Sequence, residues 1–413
     1  MTSLDSPLAH DARRASPPAS ARLVLALLER LGSGSLFFTS PDGVTRRFGP
    51  GGALGLRSAL PREADLRLRD WTVCRRILVG GDVAFAEAYM DGLWDTTDLV
   101  ALLTVAAFNQ RALERAFYGR GWRQLVFRLR HLLRSNSRRR ARRNIVAHYD
   151  LGNDFYRLWL DPTMTYSSAL FGDDATLPLA EGQQAKYERI LRELGVAPGA
   201  HLLELGCGWG GFAETAARAG CRVIGVSLSD AQTAFARDRI ARAGLAERAS
   251  LHIRDYRDVG GRYDGIASIE MFEAVGERYW PAFFRAVRQA LKPGARACIQ
   301  TITIADDRFD QYRQTSDFIQ QYIFPGGMLC SPSRFVAAAN DAGLQVDDVY
   351  RFGQDYEETL KRWLAAFDAN IDAIRAQGFD ERFIRCWRFY LAYCAASFAS
   401  ETTDVAQYTL SAA

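Results

Sequence analysis

The chain has 413 residues, of which 48% are hydrophobic and 24% are charged, and its net charge is only +4. This composition is that of a globular protein and excludes a disordered or fibrous chain, and the length allows two domains with separate cores. No apolar run is long enough to span a bilayer. The seven cysteines lack the spacing of metal ligands or of a disulfide framework, so we predict a reduced cytoplasmic setting and no metal site.

The first 110 residues contain two short strand-like pieces, GSLFFTS and ADLRLRDW, and the turn signals PDG and GPGG. Two helical stretches follow, DVAFAEAYMDGLWD and TDLVALLTVAAFN. These patterns predict an N-terminal accessory domain of mixed α/β structure over residues 1–110. We find no cluster of catalytic residue types in it.

An arginine-rich segment follows at residues 111–145, where Glu114 is the only acid between Arg111 and Arg143. Apolar residues alternate with the arginines, which predicts a basic amphipathic linker helix that binds an anionic membrane surface. The interleaved aromatic residues would also suit RNA. A solvated linker helix that packs one face on a neighbour is the third interpretation.

From His201 onwards, strand-like stretches alternate with helical ones; the strand-like stretches are HLLELG, CRVIGVS, ASLHIRD, YDGIASIE and RACIQTITI. Repeated β-α units of this length predict a parallel sheet that is covered by helices on both faces and binds ligands at the carboxyl ends of its strands. The late stretches LQVDDVYRF and DVAQYTLS are typical of S-adenosylmethionine methyltransferases. By this fold-level analogy we predict an α/β fold with the Rossmann-like sheet of class I methyltransferases.

The turn after the first of these strands carries Gly206, Gly208 and Gly211. This G-x-G-x-x-G spacing lets the backbone approach a nucleotide closely, and it suits a dinucleotide and S-adenosylmethionine equally. A nicotinamide enzyme needs a carboxylate at the end of the second strand, where this chain has Ser227. Ser227 therefore disfavours nicotinamide, but the glycine spacing alone leaves the nucleotide open.

Two polar side chains near this turn are candidates for ligand contacts, and each has a structural alternative. Glu204, at the end of the first strand, suits the amino-acid part of a cofactor, but a loop carboxylate also caps backbone amides. Gln232 is placed to reach a ribose, although Ser229 and Gln232 equally form a helix capping box.

Motifs on both sides of the glycine turn resemble one enzyme family. HYDLGNDFYRLWLDPTMTYSSALF lies upstream, and RDYRD, SIEMFEAVGERYW, QQYIFPGGMLCS and FGQDYEETLKRW lie downstream. From about His148 to the C-terminal RFYLAYCAASF, the chain resembles the cyclopropane-fatty-acyl-phospholipid synthase and mycolic acid cyclopropane synthase family. EAYMDGLWD also resembles the extra domain of the bacterial phospholipid enzymes. The resemblance implies a catalytic domain over residues 146–413, which transfers the methyl carbon of S-adenosylmethionine to a cis double bond in a lipid acyl chain.

The resemblance also implies functional residues, position by position. Together with Glu204, the candidates for binding S-adenosylmethionine are Tyr166, Ser167, Gly206, Gly208, Gly210, Leu228, Gln232, Asp255 and Tyr256. A bound bicarbonate or carbonate supplies the base in this family. Its site maps onto Glu273, the backbone of Ile302, and Tyr356.

Three positions depart from the family's pattern. Ser168 replaces a cysteine that lines the carbonate site, Ala274 replaces the histidine of FEH, and Gln300 replaces a further carbonate-binding histidine. Ser168 and Gln300 stay candidates for the site, although an amide cannot titrate and binds carbonate more weakly. Proton loss from the transferred methyl gives a cyclopropane or a methylene branch, and proton loss from a neighbouring chain carbon gives a methyl-branched alkene. The sequence leaves this outcome open.

The segment DDRFDQYRQTSDFIQQYIFPGGMLC, within residues 306–330, has aromatic residues at helical spacing. It predicts either a lid over the acyl chain or amphipathic core helices. A substrate in a bilayer gives the segment Arg111–Arg143 a partner in anionic headgroups, so we predict an enzyme bound peripherally to the inner face of the membrane. We expect no nucleic-acid partner, although an RNA methyltransferase is the alternative of a different class. The sequence is also compatible with a homodimer.

Overall fold

The computed structural model of the protein describes residues 16–52, 63–111 and 151–412. The predicted basic linker, residues 111–145, therefore lies outside the described residues except for Arg111. Among the helices that are described, none combines the length and the apolar character needed to cross a bilayer.

The N-terminal unit, residues 16–111, has the mixed α/β structure that its strand-like and helical stretches predict. Its elements are α1 (Ala19–Leu28), β1 (Ser35–Thr39), β2 (Thr45–Phe48), β3 (Glu63–Leu68), α2 (Thr72–Met90), β4 (Trp94–Asp95) and α3 (Leu99–Phe108). The sheet has the order β2-β1-β3-β4, in which β1 and β3 are parallel and the other neighbours are antiparallel. Gly81, with φ of 65°, kinks α2.

A seven-stranded sheet forms the centre of the rest of the chain. Its strands are β5 (His201–Leu205), β6 (Arg222–Ser227), β7 (Ala249–Ile253), β8 (Tyr263–Ile269), β9 (Leu291–Ile304), β10 (Leu344–Arg351) and β11 (Thr403–Ala412). Their order is β10-β11-β9-β8-β5-β6-β7; β5 to β9 are parallel, and β10 and β11 are antiparallel to their neighbours. The predicted Rossmann-like α/β fold and the late pair of strands are confirmed.

Helices cover both faces of this sheet. They are α4 (Asn153–Arg157), α5 (Leu179–Leu194), α6 (Gly211–Arg218), α7 (Asp230–Arg242), α8 (Trp280–Ala290), α9 (Asp306–Tyr312), α10 (Pro332–Asp341), α11 (Gly353–Ala369), α12 (Ile371–Ala376) and α13 (Glu381–Ala399). Successive side chains of a strand point to opposite faces. Accordingly, Leu203 shares one core with Phe283 of α8, whereas Leu202 shares another with Ile190 of α5.

The N-terminal unit and α13 share one hydrophobic core. Buried Trp94 stacks on Phe85 at a centroid distance of 4.2 Å and meets Phe389 of α13 edge-on at 6.4 Å. Arg385 of α13 donates hydrogen bonds to the Trp94 carbonyl at 2.9 Å and to Asp95 at 2.7 Å. Residues 16–111 therefore pack directly on the part of the chain that contains the large sheet. The predicted domain boundaries at residues 110 and 146 stay a prediction.

Residues 306–330, which the sequence assigns to a lid or to core helices, contain α9 and a π-helical turn at Ile319–Ile323. Phe318 is buried in the core that includes α13. Gln320 and Phe324 line the cavity described below. The segment therefore packs in the core and also covers part of a cavity.

Candidate active site

A cavity of about 1170 Å³ opens at the carboxyl ends of β5, β6 and β8. Its lining includes Gly206, Leu228 and Glu270, which lie just beyond these three strands. The same cavity continues between apolar side chains of the N-terminal unit, among them Leu66 and Ile77. One space thus joins the ligand-binding edge of the sheet to the N-terminal unit.

The glycine turn after β5 has a backbone that favours glycine. Gly206 and Gly208 have φ of 83° and 50°, and both line the cavity. A Cβ atom on Gly206 would lie 2.7 Å from Met271 Cγ, so the turn is also tightly packed. Gly210 does not line the cavity; it has φ of 83°, and a Cβ atom there would lie 2.9 Å from Ala236 Cβ. The structure therefore places Gly210 behind the turn.

Glu204, the fourth residue of β5, is buried next to the glycine turn and lines the cavity. Burial raises the pKa of its carboxyl to about 8, while Arg239 and Lys186 partly offset the rise. Its Oε2 atom has no hydrogen-bond partner among the described residues. Because an unsatisfied buried oxygen is costly, the amino group of a ligand would stabilise it. This carboxylate therefore fits the amino-acid end of S-adenosylmethionine.

The end of β6 carries hydroxyl and amide groups. Ser229 Oγ accepts a hydrogen bond from the Gln232 backbone at 3.3 Å, whereas the Ser229 backbone donates to Ser227 Oγ at 3.2 Å, so only one half of the predicted capping box is present. Ser227 Oγ lies 3.4 Å from Gln232 Oε1. Leu228 and Gln232 line the cavity. Gln232 is therefore available to a ligand while its backbone is capped.

The remaining cofactor candidates come from two other parts of the chain. Tyr256, which follows β7, lines the cavity, and so do Tyr166 and Ser167, which precede α5. Asp255 does not line it, and its carboxylate accepts hydrogen bonds from Arg257 Nε and Nη2 at 2.7 and 2.6 Å. Apart from Asp255 and the glycine behind the turn, the predicted cofactor positions thus meet at one cavity.

Glu270, which follows β8, is a site residue that the sequence analysis missed. Its half-buried side chain lines the cavity, and its carboxylate accepts three hydrogen bonds. Oε1 accepts from the Ser168 backbone at 2.9 Å and from Gln300 Nε2 at 2.8 Å, and Oε2 accepts from the Tyr356 hydroxyl at 2.6 Å. The sequence feature that could have identified Glu270 was its position, because it ends the stretch YDGIASIE at the ligand-binding edge of the sheet.

Glu273 lies on the short 3-10 helix Phe272–Ala274 and lines the same cavity. Its Oε1 atom accepts hydrogen bonds from the Thr301 hydroxyl at 2.9 Å and the Ile302 backbone at 2.5 Å. Its Oε2 atom has no partner within the described part of the chain. Burial and the nearby charge of Glu270 raise the pKa of Glu273 to about 8. The predicted catalytic positions therefore cluster around the carboxyl groups of Glu270 and Glu273.

Lys186 of α5 is a second residue that the sequence analysis missed. It is fully buried, and its ammonium donates hydrogen bonds to Ser167 Oγ at 2.5 Å and to Gln183 Oε1 at 2.6 Å. Burial lowers its pKa to about 7, although Glu270 and Glu204 act in the opposite direction. The sequence signal that could have identified Lys186 was its spacing from Gln183 and from the apolar positions of α5. This spacing places Lys186 on the buried face of that helix.

Aromatic rings gather next to these charged groups. The Tyr166 and Tyr390 hydroxyls are hydrogen-bonded at 2.6 Å, and both side chains line the cavity. The ring of Tyr166 lies 5.4 Å from that of Trp363, and the ring of Tyr356 lies 4.6 Å from that of Phe398. Such rings exclude water and attract positive charge to their faces. The site can therefore accommodate a cationic ligand or a cationic intermediate.

Comparison with known proteins agrees with this geometry. The sequence profile of the family described as mycolic acid cyclopropane synthetase matches residues 136–408. The chain is 40% identical over 363 residues to the tuberculostearic acid methyltransferase of Mycobacterium tuberculosis, which covers 86% of this chain and 84% of the relative. It is 34% identical over 352 residues to the cyclopropane-fatty-acyl-phospholipid synthase of Escherichia coli K12, which covers 84% of this chain and 88% of the relative.

A solved structure extends the comparison to three dimensions. The mycolic acid cyclopropane synthase CmaA1, complexed with SAH and CTAB, matches with a TM-score of 0.60 and 32% sequence identity, covering 65% of this chain and 97% of that chain. The glycine turn, Glu204, Glu270 and Glu273 lie within the region that the family profile matches. The chain therefore belongs to the mycolic acid cyclopropane synthetase family and is a methyltransferase that uses S-adenosylmethionine as its methyl donor.

Proposed function

We propose that this enzyme transfers a one-carbon unit from S-adenosylmethionine to the cis double bond of an unsaturated phospholipid acyl chain, giving a cyclopropane fatty acid. The observation that carries the proposal is the single cavity that joins the glycine turn to an apolar space in the N-terminal unit. The E. coli relative is named for a fatty-acyl phospholipid, which supports the same class of substrate.

The apolar branch of the cavity suits an acyl chain. Most of the side chains that line it from the N-terminal unit are aliphatic or aromatic, including Leu36, Phe38, Leu66, Leu68 and Ile77, and Asp82 and Gln110 are polar exceptions. Burial of each methylene group contributes about 0.8 kcal/mol. A long chain therefore gains several kcal/mol of binding free energy from this space, without any polar contact.

S-adenosylmethionine supplies an electrophilic methyl group when it is bound. Glu204 and the glycine turn would hold its amino-acid end, and Gln232 and Tyr256 would hold its nucleoside. The cavity walls orient the acyl double bond, because an isolated alkene is a weak nucleophile. Tyr166 and Tyr390 exclude water and stabilise the positive charge that develops on the acyl chain. A buried base then removes a proton.

A methyl- or methylene-branched fatty acid is the second candidate product on the same substrate. The relative at 40% identity is named a methyltransferase rather than a cyclopropane synthase, which favours this candidate. Gln300 also stands where the family's pattern has a carbonate-binding histidine, so a carbonate base would be bound more weakly here. Both products need the same methyl transfer and differ in the proton that is lost.

A carbonate base would not fit the residues present here. Three of its predicted contacts, Ser168, Gln300 and Tyr356, already donate hydrogen bonds to the carboxylate of Glu270. The backbone of Ile302 donates to Glu273. We therefore assign no step to bicarbonate.

We also propose that the enzyme binds peripherally to an anionic membrane surface on the inner face of the membrane. The support is the composition of the segment Arg111–Arg143, in which Glu114 is the only acid. Arg111 is exposed and pairs with Asp307, and the other residues of the segment lie outside the described ones. The homodimer stays a prediction.

The test supplies the enzyme with vesicles of a monounsaturated phospholipid and isotope-labelled S-adenosylmethionine, and analyses the fatty acids by mass spectrometry. We expect labelled chains that have gained one CH₂ group. Products that resist hydrogenation are rings, and products that take up hydrogen are unsaturated branches. Vesicles of a saturated phospholipid are the control. Label that stays out of the monounsaturated chains, while the enzyme still binds the donor, would contradict the proposal.

A further inference from the structure

The carboxylate of Glu270 is held as a bound anion would be held. It accepts hydrogen bonds from one backbone amide, one side-chain amide and one phenol, contributed by Ser168, Gln300 and Tyr356. Two of these donors engage the same oxygen, and the third engages the other. Three directional contacts fix both oxygens of the carboxylate at the wall of the cavity.

The backbone of Glu270 is itself unusual. Its φ of 50° is in the left-handed region, which is uncommon for a residue with a side chain. Such a conformation costs about 1–3 kcal/mol and persists only where the surrounding structure imposes it. The strained backbone after β8 therefore directs the Glu270 side chain toward its three hydrogen-bond donors.

The negative charge of the cluster disfavours the binding of another anion. The side chains of Glu270 and Glu273 are both half-buried, and Glu270 already raises the pKa of Glu273. The ammonium of Lys186 lowers the pKa of Glu270, so it partly compensates one negative charge. A carbonate in the same place would add a further like charge in a medium of low dielectric constant, which is strongly unfavourable.

On the basis of the proposed function, we propose that the carboxylate of Glu270 replaces carbonate and is the catalytic base that takes the proton from the methylated acyl chain. Glu270 lines the cavity, so an acyl chain bound there would be accessible to its carboxylate. Gln300 and Tyr356 act as positioning residues, because they orient the base through hydrogen bonds.

The step balances in atoms and charge. The π electron pair of the double bond forms the new C–CH₃ bond, the S–CH₃ bond breaks with its pair on sulfur, and the acyl chain becomes a carbocation. One Oε atom of Glu270 then accepts a proton from the cation, and the C–H electron pair closes the ring or forms the new double bond. The carboxyl group returns the proton to water when the products leave. Burial raises the pKa of Glu270, which makes it a stronger base than an exposed carboxylate.

The test uses two variants. Glu270→Gln keeps the shape of the side chain and removes the base, and we expect a fall in rate of about 100-fold or more. Glu270→Gly suits the φ of 50° and opens a space bounded by the same three donors. We expect it to be inactive in buffer freed of carbon dioxide and to recover at least about tenfold on addition of bicarbonate or formate. The wild-type rate should not change with bicarbonate.

The controls separate the possible failures. Glu247→Gln alters an exposed glutamate and should behave as the wild type. Donor affinity and thermal unfolding show whether each variant is folded. A wild type that needs bicarbonate, or a folded Glu270→Gln variant with near wild-type rate, would overturn the inference while the proposed function stands. If Glu270→Gly does not fold, the bicarbonate dependence of the wild type and the rate of the Glu270→Gln variant still test the inference. A wild type that forms no modified lipid under any condition would overturn the proposed function itself.

Discussion

Three ionisable side chains of the candidate site have strongly shifted pKa values. Burial raises the pKa values of Glu204 and Glu273 to about 8 and lowers that of Lys186 to about 7. One oxygen of each of these two glutamates lacks a partner in the described structure. Such an arrangement costs stability in the free protein, and groups with shifted pKa values of this kind concentrate at functional sites. A cationic ligand would provide the missing partners.

Glu204 should make the stability of the protein depend on pH. Its pKa is about 8 in the folded state and 4.5 as the reference, so between these values the folded protein holds a proton that the unfolded chain has lost. The resulting stabilisation is full below pH 4.5 and disappears as the pH rises through 8. We expect the free energy of unfolding to fall over this range and Glu204→Gln to flatten the fall. Denaturant titrations at several pH values, with Glu247→Gln as control, measure how the free energy of unfolding changes with pH. An unchanged slope in Glu204→Gln would show that the carboxyl group is charged when folded.

Gly206→Ala tests the glycine turn. The new Cβ atom would lie 2.7 Å from Met271 Cγ, on a backbone with φ of 83°. We expect binding of S-adenosylmethionine to weaken by about tenfold or more, because the turn must change shape. Gly199→Ala is the matched control: its φ is 92°, but nothing lies within 4 Å of the added atom. It should cost stability and leave donor affinity unchanged, as calorimetry can measure. Equal affinity losses in both variants would reject the role of the turn.

At the level of elements, local patterns sufficed to predict the strands of the large sheet and the helices α6, α7 and α8 that alternate with them, but not α4, α5 or α10 to α13. The glycine turn, β10 and β11 all follow from hydrophobic periodicity and glycine boundaries that agree locally. The roles of Glu270 and Lys186 did not follow. The hydrogen bond between Tyr356 and Glu270 joins positions 86 residues apart, so it depends on how α11 packs against the sheet. The docking of the N-terminal unit on α13 depends on tertiary packing in the same way.

Arg385 should be the strongest single link between α13 and the N-terminal unit. Its guanidinium donates to the carbonyls of Tyr89 and Trp94 and to Asp95, and it lies 3.9 Å from the centroid of the Tyr89 ring. We expect Arg385→Met to reduce the free energy of unfolding by about 2–4 kcal/mol, because it leaves several acceptors unpaired. Arg375→Met, which removes exposed ion pairs only, should cost clearly less than Arg385→Met. Denaturant unfolding compares the two, and similar losses would mean that the link contributes little.

For the whole molecule, the charge distribution predicts how the enzyme meets its substrate. Replacement of Arg138–Arg140 by glutamine should weaken binding to anionic vesicles by about 1 kcal/mol per residue at low salt. The effect should shrink at high salt, because ions screen exposed charges. Vesicle sedimentation at two salt concentrations measures it. A triple variant of exposed arginines elsewhere, Arg192, Arg222 and Arg242, is the control. If vesicle binding changed neither with salt nor with the replacement of Arg138–Arg140, the basic segment would not be the membrane contact.

The cavity also predicts that the N-terminal unit helps to select the acyl chain, although the chemistry lies at the sheet. Ile77 lines the apolar branch, whereas Leu99, buried in the same core, does not. Ile77→Phe narrows the branch, so we expect kcat/KM for a long monounsaturated chain to fall several-fold relative to a shorter one. Leu99→Phe adds similar bulk outside the cavity and should lower stability without changing this ratio. Competition between two phospholipids of different chain length measures the ratio directly. If Ile77→Phe left the ratio unchanged, the acyl chain would have to occupy only the part of the cavity next to the sheet, and the N-terminal unit would serve stability alone.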